Sequence, residues 1–147
     1  LASTEKSQPL QRAVDHGARI LTGGEKTGSK GNYYRPTVLA DIDPDNPAAE
    51  EEFFGPVALM FKAASAQEAV EIANRSPFGL ASSVWTNEQS ERDLFINEIE
   101  AGSTFINAMV ASDPRLPFGG VKASGYGREL SREGILAFVN AKTIVLA

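Results

Sequence analysis

The chain has 147 residues, with 14 lysines and arginines against 19 aspartates and glutamates and a formal charge of −5, which excludes a basic nucleic-acid-binding face as its main feature. With 42% hydrophobic and 22% charged residues it falls among ordinary globular chains, and the absence of cysteine excludes disulfides, thiolate metal sites and a cysteine nucleophile from these residues. No apolar run approaches the roughly 18 residues of a membrane span and no signal-peptide pattern opens the chain, so no membrane partner is expected and the balance is compatible with a cytoplasmic location.

In chain order, a start at Leu1, two internal methionines (Met60 and Met109) and a polar lead-in over residues 2–8 point to a piece of something longer. The length predicts one domain able to bury roughly 68–70% of its unfolded surface in a proper core. Over residues 7–16, Leu10, Ala13 and Val14 recur at helical spacing and Gly17 supplies a stop. A short strand over 19–22 is broken by Gly23 and Gly24, and a polar turn runs to Gly31. Residues 34–40 read as a strand entered through Pro36 and followed by the loop Asp43-Pro44-Asp45-Asn46-Pro47.

Residues 57–62 are a continuous apolar strand, and Ser65 with Glu68 has the spacing of a capping box before a helix carrying Ala66, Ala69, Val70 and Ala73, which Pro77 ends. A strand over 80–85 follows. Thr86 and Gln89 repeat the capping-box spacing before a helix with Leu94, Phe95 and Ile99, Gly102 ends it, and 104–106 is a further strand. Strand, helix, strand, helix, strand predicts an α/β fold with a parallel sheet and right-handed crossovers. From Asn107 to Arg128 regularity fails for about twenty residues, a length that signals function inside a compact domain. Ser131 then caps a helix with Ile135, Leu136 and Val139, and Thr143, Ile144, Val145 and Leu146 form a terminal apolar strand. Such a strand needs an edge to join, in this molecule or in another chain.

Few residues offer chemistry. Gly125-Tyr126-Gly127 fails as a dinucleotide fingerprint because Leu130 holds the third glycine position and a loop precedes the glycines. His16 with carboxylates alone is a poor zinc ligand set, and it reads as a solvated residue near a helix end. Glu50-Glu51-Glu52 before Phe53-Phe54-Gly55-Pro56 supports two readings. One is an acidic turn followed by aromatics entering a core strand. The other is a carboxylate that accepts from both hydroxyls of a ribose beside an aromatic that faces a planar ring. Pro117-Phe118-Gly119-Gly120 likewise presents one ring on a rigid frame.

Glu51-Glu52-Phe53-Phe54-Gly55-Pro56-Val57, Pro77-Phe78-Gly79-Leu80, Phe105-Ile106-Asn107, Pro117-Phe118-Gly119-Gly120-Val121-Lys122 and Ser124-Gly125-Tyr126-Gly127-Arg128-Glu129-Leu130, with Gly31-Asn32-Tyr33-Tyr34-Arg35-Pro36-Thr37-Val38 upstream, occur in the order and approximate spacing of the C-terminal third of NAD(P)-dependent aldehyde dehydrogenases. The resemblance covers essentially the whole chain, and within the family the chain most resembles bacterial succinate-semialdehyde dehydrogenases.

The resemblance implies that residues 1–140 are the C-terminal part of the catalytic domain and that 141–147 are an oligomerisation strand, through which Thr143, Ile144, Val145 and Leu146 contact same-protein subunits in a dimer or tetramer. It implies NAD or NADP as cofactor and a small aldehyde as substrate. Glu52 matches the glutamate on the nicotinamide ribose, Phe54 the aromatic beside the nicotinamide, and Phe118 an aromatic of the substrate tunnel. Ser112 matches the serine that holds the distal carboxylate in semialdehyde-specific members, and Arg115 stands nearby as a surface cation or an assisting charge. Glu129 matches a buried glutamate proposed as a proton relay, the alternative being a structural acid paired with Arg128 or a lysine. The family's cysteine nucleophile forms a thiohemiacetal that yields a hydride, and a glutamate activates water to release the acid. The cysteine, the motif of that glutamate and the Rossmann domain are all missing here, so a fragment without its own catalysis is expected. The alternatives are a non-catalytic binding or assembly module of the same fold, or a dehydrogenase for another small aldehyde.

Overall fold

A computed structural model describes residues 7–28 and 30–146; the lead-in over 2–6 and the final Ala147 lie outside the described residues. The chain divides into two compact units, Leu1–Ala64 and Ser65–Ala147.

In the first unit, α1 (Ser7–Asp15) takes the periodicity read from Leu10 and Ala13, and both side chains are buried. Gly17 follows with φ 97°, a left-handed stop that glycine adopts freely. The His16 ring nitrogen Nδ1 lies 2.8 Å from the Arg12 carbonyl oxygen, so its solvated position at the helix end is as expected. Strands β1 (Arg19–Thr22), β2 (Thr37–Ala40) and β3 (Val57–Leu59) form one sheet in that order. β1 pairs antiparallel with β2, and β2 pairs parallel with β3.

The core of this unit is Leu10, Ala13, Ala18, Leu39, Ile42 and Ala48, with Tyr34, Phe53, Val57 and Leu59 packed against it. Burial pushes the Tyr34 phenol above its ordinary pKa, with Glu25 adding to the shift.

Asn46, in the loop expected over residues 43–47, is 2% exposed. Its Nδ2 donates to the carbonyls of Ala13 at 2.8 Å and His16 at 3.2 Å, and its Oδ1 accepts from the Ala48 amide at 3.0 Å, capping a short 3-10 helix, Pro47–Ala49. One side chain thus ties the end of α1 to the loop leading toward β3. Asn46→Ala leaves the Ala13 carbonyl its bond from the Ala18 amide but takes the side-chain partner from the His16 carbonyl and the Ala48 amide, at about 1–3 kcal/mol for each buried group left unsatisfied. The expected result in chemical denaturation of the whole protein is a loss of about 2–4 kcal/mol with an unchanged m-value.

In the second unit, Ser65 accepts from the Glu68 amide at 3.1 Å and starts α2 (Ala66–Arg75), as the capping spacing predicts. The order continues with β4 (Phe78–Gly79), β5 (Ser82–Val84), α3 (Gln89–Glu98), β6 (Thr104–Ile106), β7 (Val121–Lys122) and α4 (Ser131–Leu136). β5 and β6 pair parallel across α3, whereas β4 and β7 pair antiparallel.

The expected parallel sheet is therefore corrected to a mixed α/β arrangement of three small sheets, because β3 bonds to β2 and β5 to β6. The second expected capping box is also corrected. Thr86 accepts from the Glu88 amide at 3.1 Å, α3 begins at Gln89 and no side chain caps it.

Asn74 and Lys122 knit the second unit together. Asn74 Nδ2 donates to the Glu98 carbonyl at 2.7 Å and its Oδ1 accepts from the Glu100 amide at 2.9 Å. The Lys122 ammonium donates to the Asn74 carbonyl at 2.6 Å and pairs with Glu100. Apolar burial is sparse by contrast: Val70 is the one buried apolar side chain of this unit among the described residues. The single-core expectation is thus met only in the first unit.

Residues 141–146 carry no strand among the described residues. Ile144 is 72%, Val145 83% and Leu146 92% exposed. An apolar strand forms only against an edge, and no edge among the described residues takes it. No helix among the described residues is long and apolar enough to cross a membrane.

Candidate functional site

The acidic-aromatic segment sorts its side chains by alternation. Glu51 forms an ion pair with Arg12 of α1, and Phe53 packs on the core. Glu52 and Phe54 face the other way and are exposed. Glu52 makes no hydrogen bond or ion pair among the described residues, so its carboxylate retains its full accepting capacity.

Phe54 is 78% exposed at φ 45°, a backbone region that costs a bulky residue energy and clusters at ligand sites. The core reading of the segment is met at Phe53, while Glu52 and Phe54 remain outside the core as an exposed carboxylate and an exposed ring.

In the second unit the long loop is organised by backbone bonds. Asn107, at φ 53°, donates from Nδ2 to the Thr86 carbonyl at 2.8 Å and accepts at Oδ1 from the Thr86 amide at 2.9 Å. Its amide donates to the Val84 carbonyl at 2.7 Å. The side chain imitates the next rung of the β5–β6 ladder and fixes the point where the loop departs.

Ser112 is exposed. Asp113 to Leu116 is a turn closed by the Leu116 amide on the Asp113 carbonyl at 2.9 Å, with Pro114 at its second position, where a fixed φ suits the turn. Arg115 bonds back to Asp113 through Nε at 2.9 Å and Nη2 at 2.6 Å. These bonds hold the Asp113 carboxyl below its ordinary pKa and raise that of Arg115. The cation beside Ser112 is thus already matched by a carboxylate.

Phe118 and Glu129 are brought together. The Phe118 amide donates to the Glu129 carbonyl at 2.9 Å, and the Glu129 amide donates to the Phe118 carbonyl at 2.7 Å. Both line an open groove of about 460 Å³ with Leu80, Tyr126 and Phe138. Sequence reading missed Tyr126 and Phe138 as groove residues; their exposures of 102% and 92% were not legible from pattern alone.

Two expectations for Glu129 need correction. It is exposed in this chain, not buried, because only its backbone is held by its neighbours. Its carboxylate forms no ion pair with Arg128 or a lysine among the described residues. Arg128 instead donates from Nη1 to the carbonyls of Gly120 at 2.9 Å and Gly127 at 2.6 Å.

Glu52 and Phe54 belong to the first unit, and Ser112, Phe118 and Glu129 to the second. Among the described residues no group of three or more histidines, aspartates or glutamates could hold a metal ion.

Comparison with known proteins places these residues in context. The profile of the aldehyde dehydrogenase family matches residues 3–144. The chain is 50% identical over 138 residues to a probable succinate-semialdehyde dehydrogenase (NADP(+)) of Synechocystis sp., covering 94% of this chain and 30% of the relative. It superposes on succinic semialdehyde dehydrogenase from Streptococcus pyogenes, solved with NADP+, with a TM-score of 0.92 at 40% identity, over 98% of this chain and 32% of that one. It also superposes on betaine aldehyde dehydrogenase from Staphylococcus aureus, solved with NAD+, with a TM-score of 0.87 at 31% identity, over 92% of this chain and 28% of that one. The chain therefore spans about three tenths of the length of these relatives.

Proposed function

The chain belongs to the aldehyde dehydrogenase family, and from that premise we propose that the whole protein oxidises succinate semialdehyde, or a similar small aldehyde, to its carboxylic acid with NAD or NADP. The observation that carries this reading is the division of roles at residues 51–54: Glu51 and Phe53 anchor the segment, leaving a carboxylate without a partner among the described residues and, two positions on, an exposed ring. The names of two similar proteins support the substrate.

In this reading Glu52 accepts hydrogen bonds from the two ribose hydroxyls and Phe54 lays its face against the nicotinamide. The cofactor, when bound, supplies hydride acceptance. Phe118 forms an apolar wall of the aldehyde pocket, and Ser112 donates its hydroxyl to the distal carboxylate of the substrate. Glu129, covered by polypeptide beyond these residues, passes a proton through its carboxylate. The chain has no cysteine, so the sulfur nucleophile comes from outside it. Residues 1–140 are part of the catalytic domain, and 141–147 lend an edge strand to a neighbouring subunit, which accounts for the exposure of Ile144, Val145 and Leu146.

The test is turnover by the whole protein of succinate semialdehyde and of an uncharged aldehyde of the same length, in wild type and Ser112→Ala. A hydrogen bond to a charged group contributes about 1.5–3 kcal/mol, so KM for the semialdehyde is expected to rise about tenfold or more while the uncharged aldehyde is unaffected. Equal losses for both remove the carboxylate role from Ser112 and favour another small aldehyde. Absence of turnover with either cofactor overturns the proposed function and leaves an assembly module.

A further inference from the structure

Helix α4 contains a glycine where helix propensity favours almost anything else. Gly134 lies inside Ser131–Leu136 and is buried, and an alanine there would ordinarily strengthen a helix. The neighbouring backbone explains the glycine. A Cβ on Gly134 would lie 2.8 Å from the carbonyl carbon and 3.1 Å from the Cα of Glu129. The helix therefore sits directly on the backbone of Glu129, with no room for a methyl group between them.

The chain reaches this arrangement through strained geometry. Leu130 has φ 62° and ψ 176°, a region that is essentially reserved for glycine, and Ser131 follows at φ 51°. Such conformations persist only where the surroundings hold them on both sides. Here Glu129 exchanges both backbone hydrogen bonds with Phe118, and the Ser131 amide donates to the Pro114 carbonyl at 3.0 Å. Both anchors grip the same loop, so the chain must reverse within the one residue between them, and that reversal swings Gly134 onto Glu129.

We propose that Gly134 and Leu130 are positioning residues: the seat of α4 on Glu129 sets, through the Glu129–Phe118 pair, the aromatic wall of the aldehyde pocket and the Glu129 carboxylate together. This rests on the assignment of Phe118 and Ser112 to the pocket. Neither Leu130 nor Gly134 lines the groove. A wedge at position 134 displaces Glu129, and its ladder partner Phe118 moves with it.

The experiment is Gly134→Ala in the whole enzyme, read as separate KM and kcat values for aldehyde and cofactor, beside a thermal melt. Displacement of reacting groups by a fraction of an ångström is costly, so kcat/KM for succinate semialdehyde is expected to fall about tenfold or more, with KM for the cofactor unchanged. A folded variant with wild-type aldehyde kinetics, or one in which both KM values change equally, overturns the inference. If the variant does not fold, hydrogen exchange of the wild-type enzyme with succinate as probe decides. Slowed exchange in both 112–118 and 129–134 supports the coupling, and slowing confined to 112–118 overturns it. A wild type that turns over no aldehyde overturns the proposed function, whereas an active wild type matched by its alanine variant overturns this inference alone.

Discussion

Gly102→Ala is expected to prevent the protein from holding its native fold. Gly102 follows α3, and its amide donates to the Gly79 carbonyl at 3.1 Å. A Cβ built there would lie 1.6 Å from the Gly119 carbonyl oxygen and 3.0 Å from that of Leu80. Each obstacle is backbone, so no rotamer change relieves the contact. Gly119 cannot retreat freely, because its own Cβ direction already meets the Gly127 carbonyl oxygen at 2.7 Å. The added methyl must separate the β4 region from the floor of the groove that carries Phe118. Overpacking at a rigid contact costs about 3 kcal/mol or more, and the second unit has little buried apolar area to absorb it. Soluble yield and thermal melting of the whole protein check this beside Gly17→Ala. Gly17, unlike Gly102, has a positive φ, but nothing lies within 4 Å of its Cβ direction, so only the left-handed penalty of about 1–2 kcal/mol applies. Equal melting temperatures for the two variants would remove the steric argument.

The contrast between those glycines marks what local pattern conveys. Residues 7–16 disclosed α1 because Leu10 and Ala13 repeat at the period of the helix they form, and Ser65 disclosed the start of α2 because a cap is a three-residue interaction. Pairing is not local in this sense. Residues 57–62 and 80–85 both read as apolar strands, but nothing in either stretch says that β3 takes β2 as its neighbour and β5 takes β6. Thr86 shows how a correct local signal is diverted: its hydroxyl accepts from the Glu88 amide, and its backbone is clamped by Asn107, 21 residues away. The Ser131 hydroxyl does accept from the Glu133 amide at 3.3 Å, but Leu130 takes the cap position and Ser131 itself lies in the left-handed region, a consequence of anchors on Pro114 and Phe118 that no propensity describes. The candidate site follows the same rule. Motif order nominated Glu52, Phe54, Phe118 and Glu129, but the selection of Glu52 over Glu51 as the free carboxylate depends on Arg12, 39 positions earlier.

Under the proposed function that selection carries a large expected effect. Glu52→Gln in the whole protein is expected to reduce cofactor affinity or the hydride-transfer rate by about tenfold to a hundredfold, the equivalent of the 1.5–3 kcal/mol in a hydrogen bond to a charged group. Glutamine keeps the length and shape of the side chain. It loses the charge and replaces one accepting oxygen with a donating amide, so it can no longer offer one charged oxygen to each hydroxyl of a diol. Glu51→Gln is the matched control. It removes the partner of Arg12, whose side chain is 47% exposed, and exposed ion pairs contribute only about 0–1 kcal/mol. Phe53 still anchors the segment in the core, so Glu51→Gln is expected to change cofactor binding by less than about fivefold. Cofactor titration by fluorescence and single-turnover hydride transfer measure the two effects separately. If the two glutamines behave alike, the outward-facing carboxylate has no special role and the clamp assignment fails. If only Glu52→Gln is impaired, the charge that matters is the one that alternation along residues 51–54 leaves without a partner among the described residues.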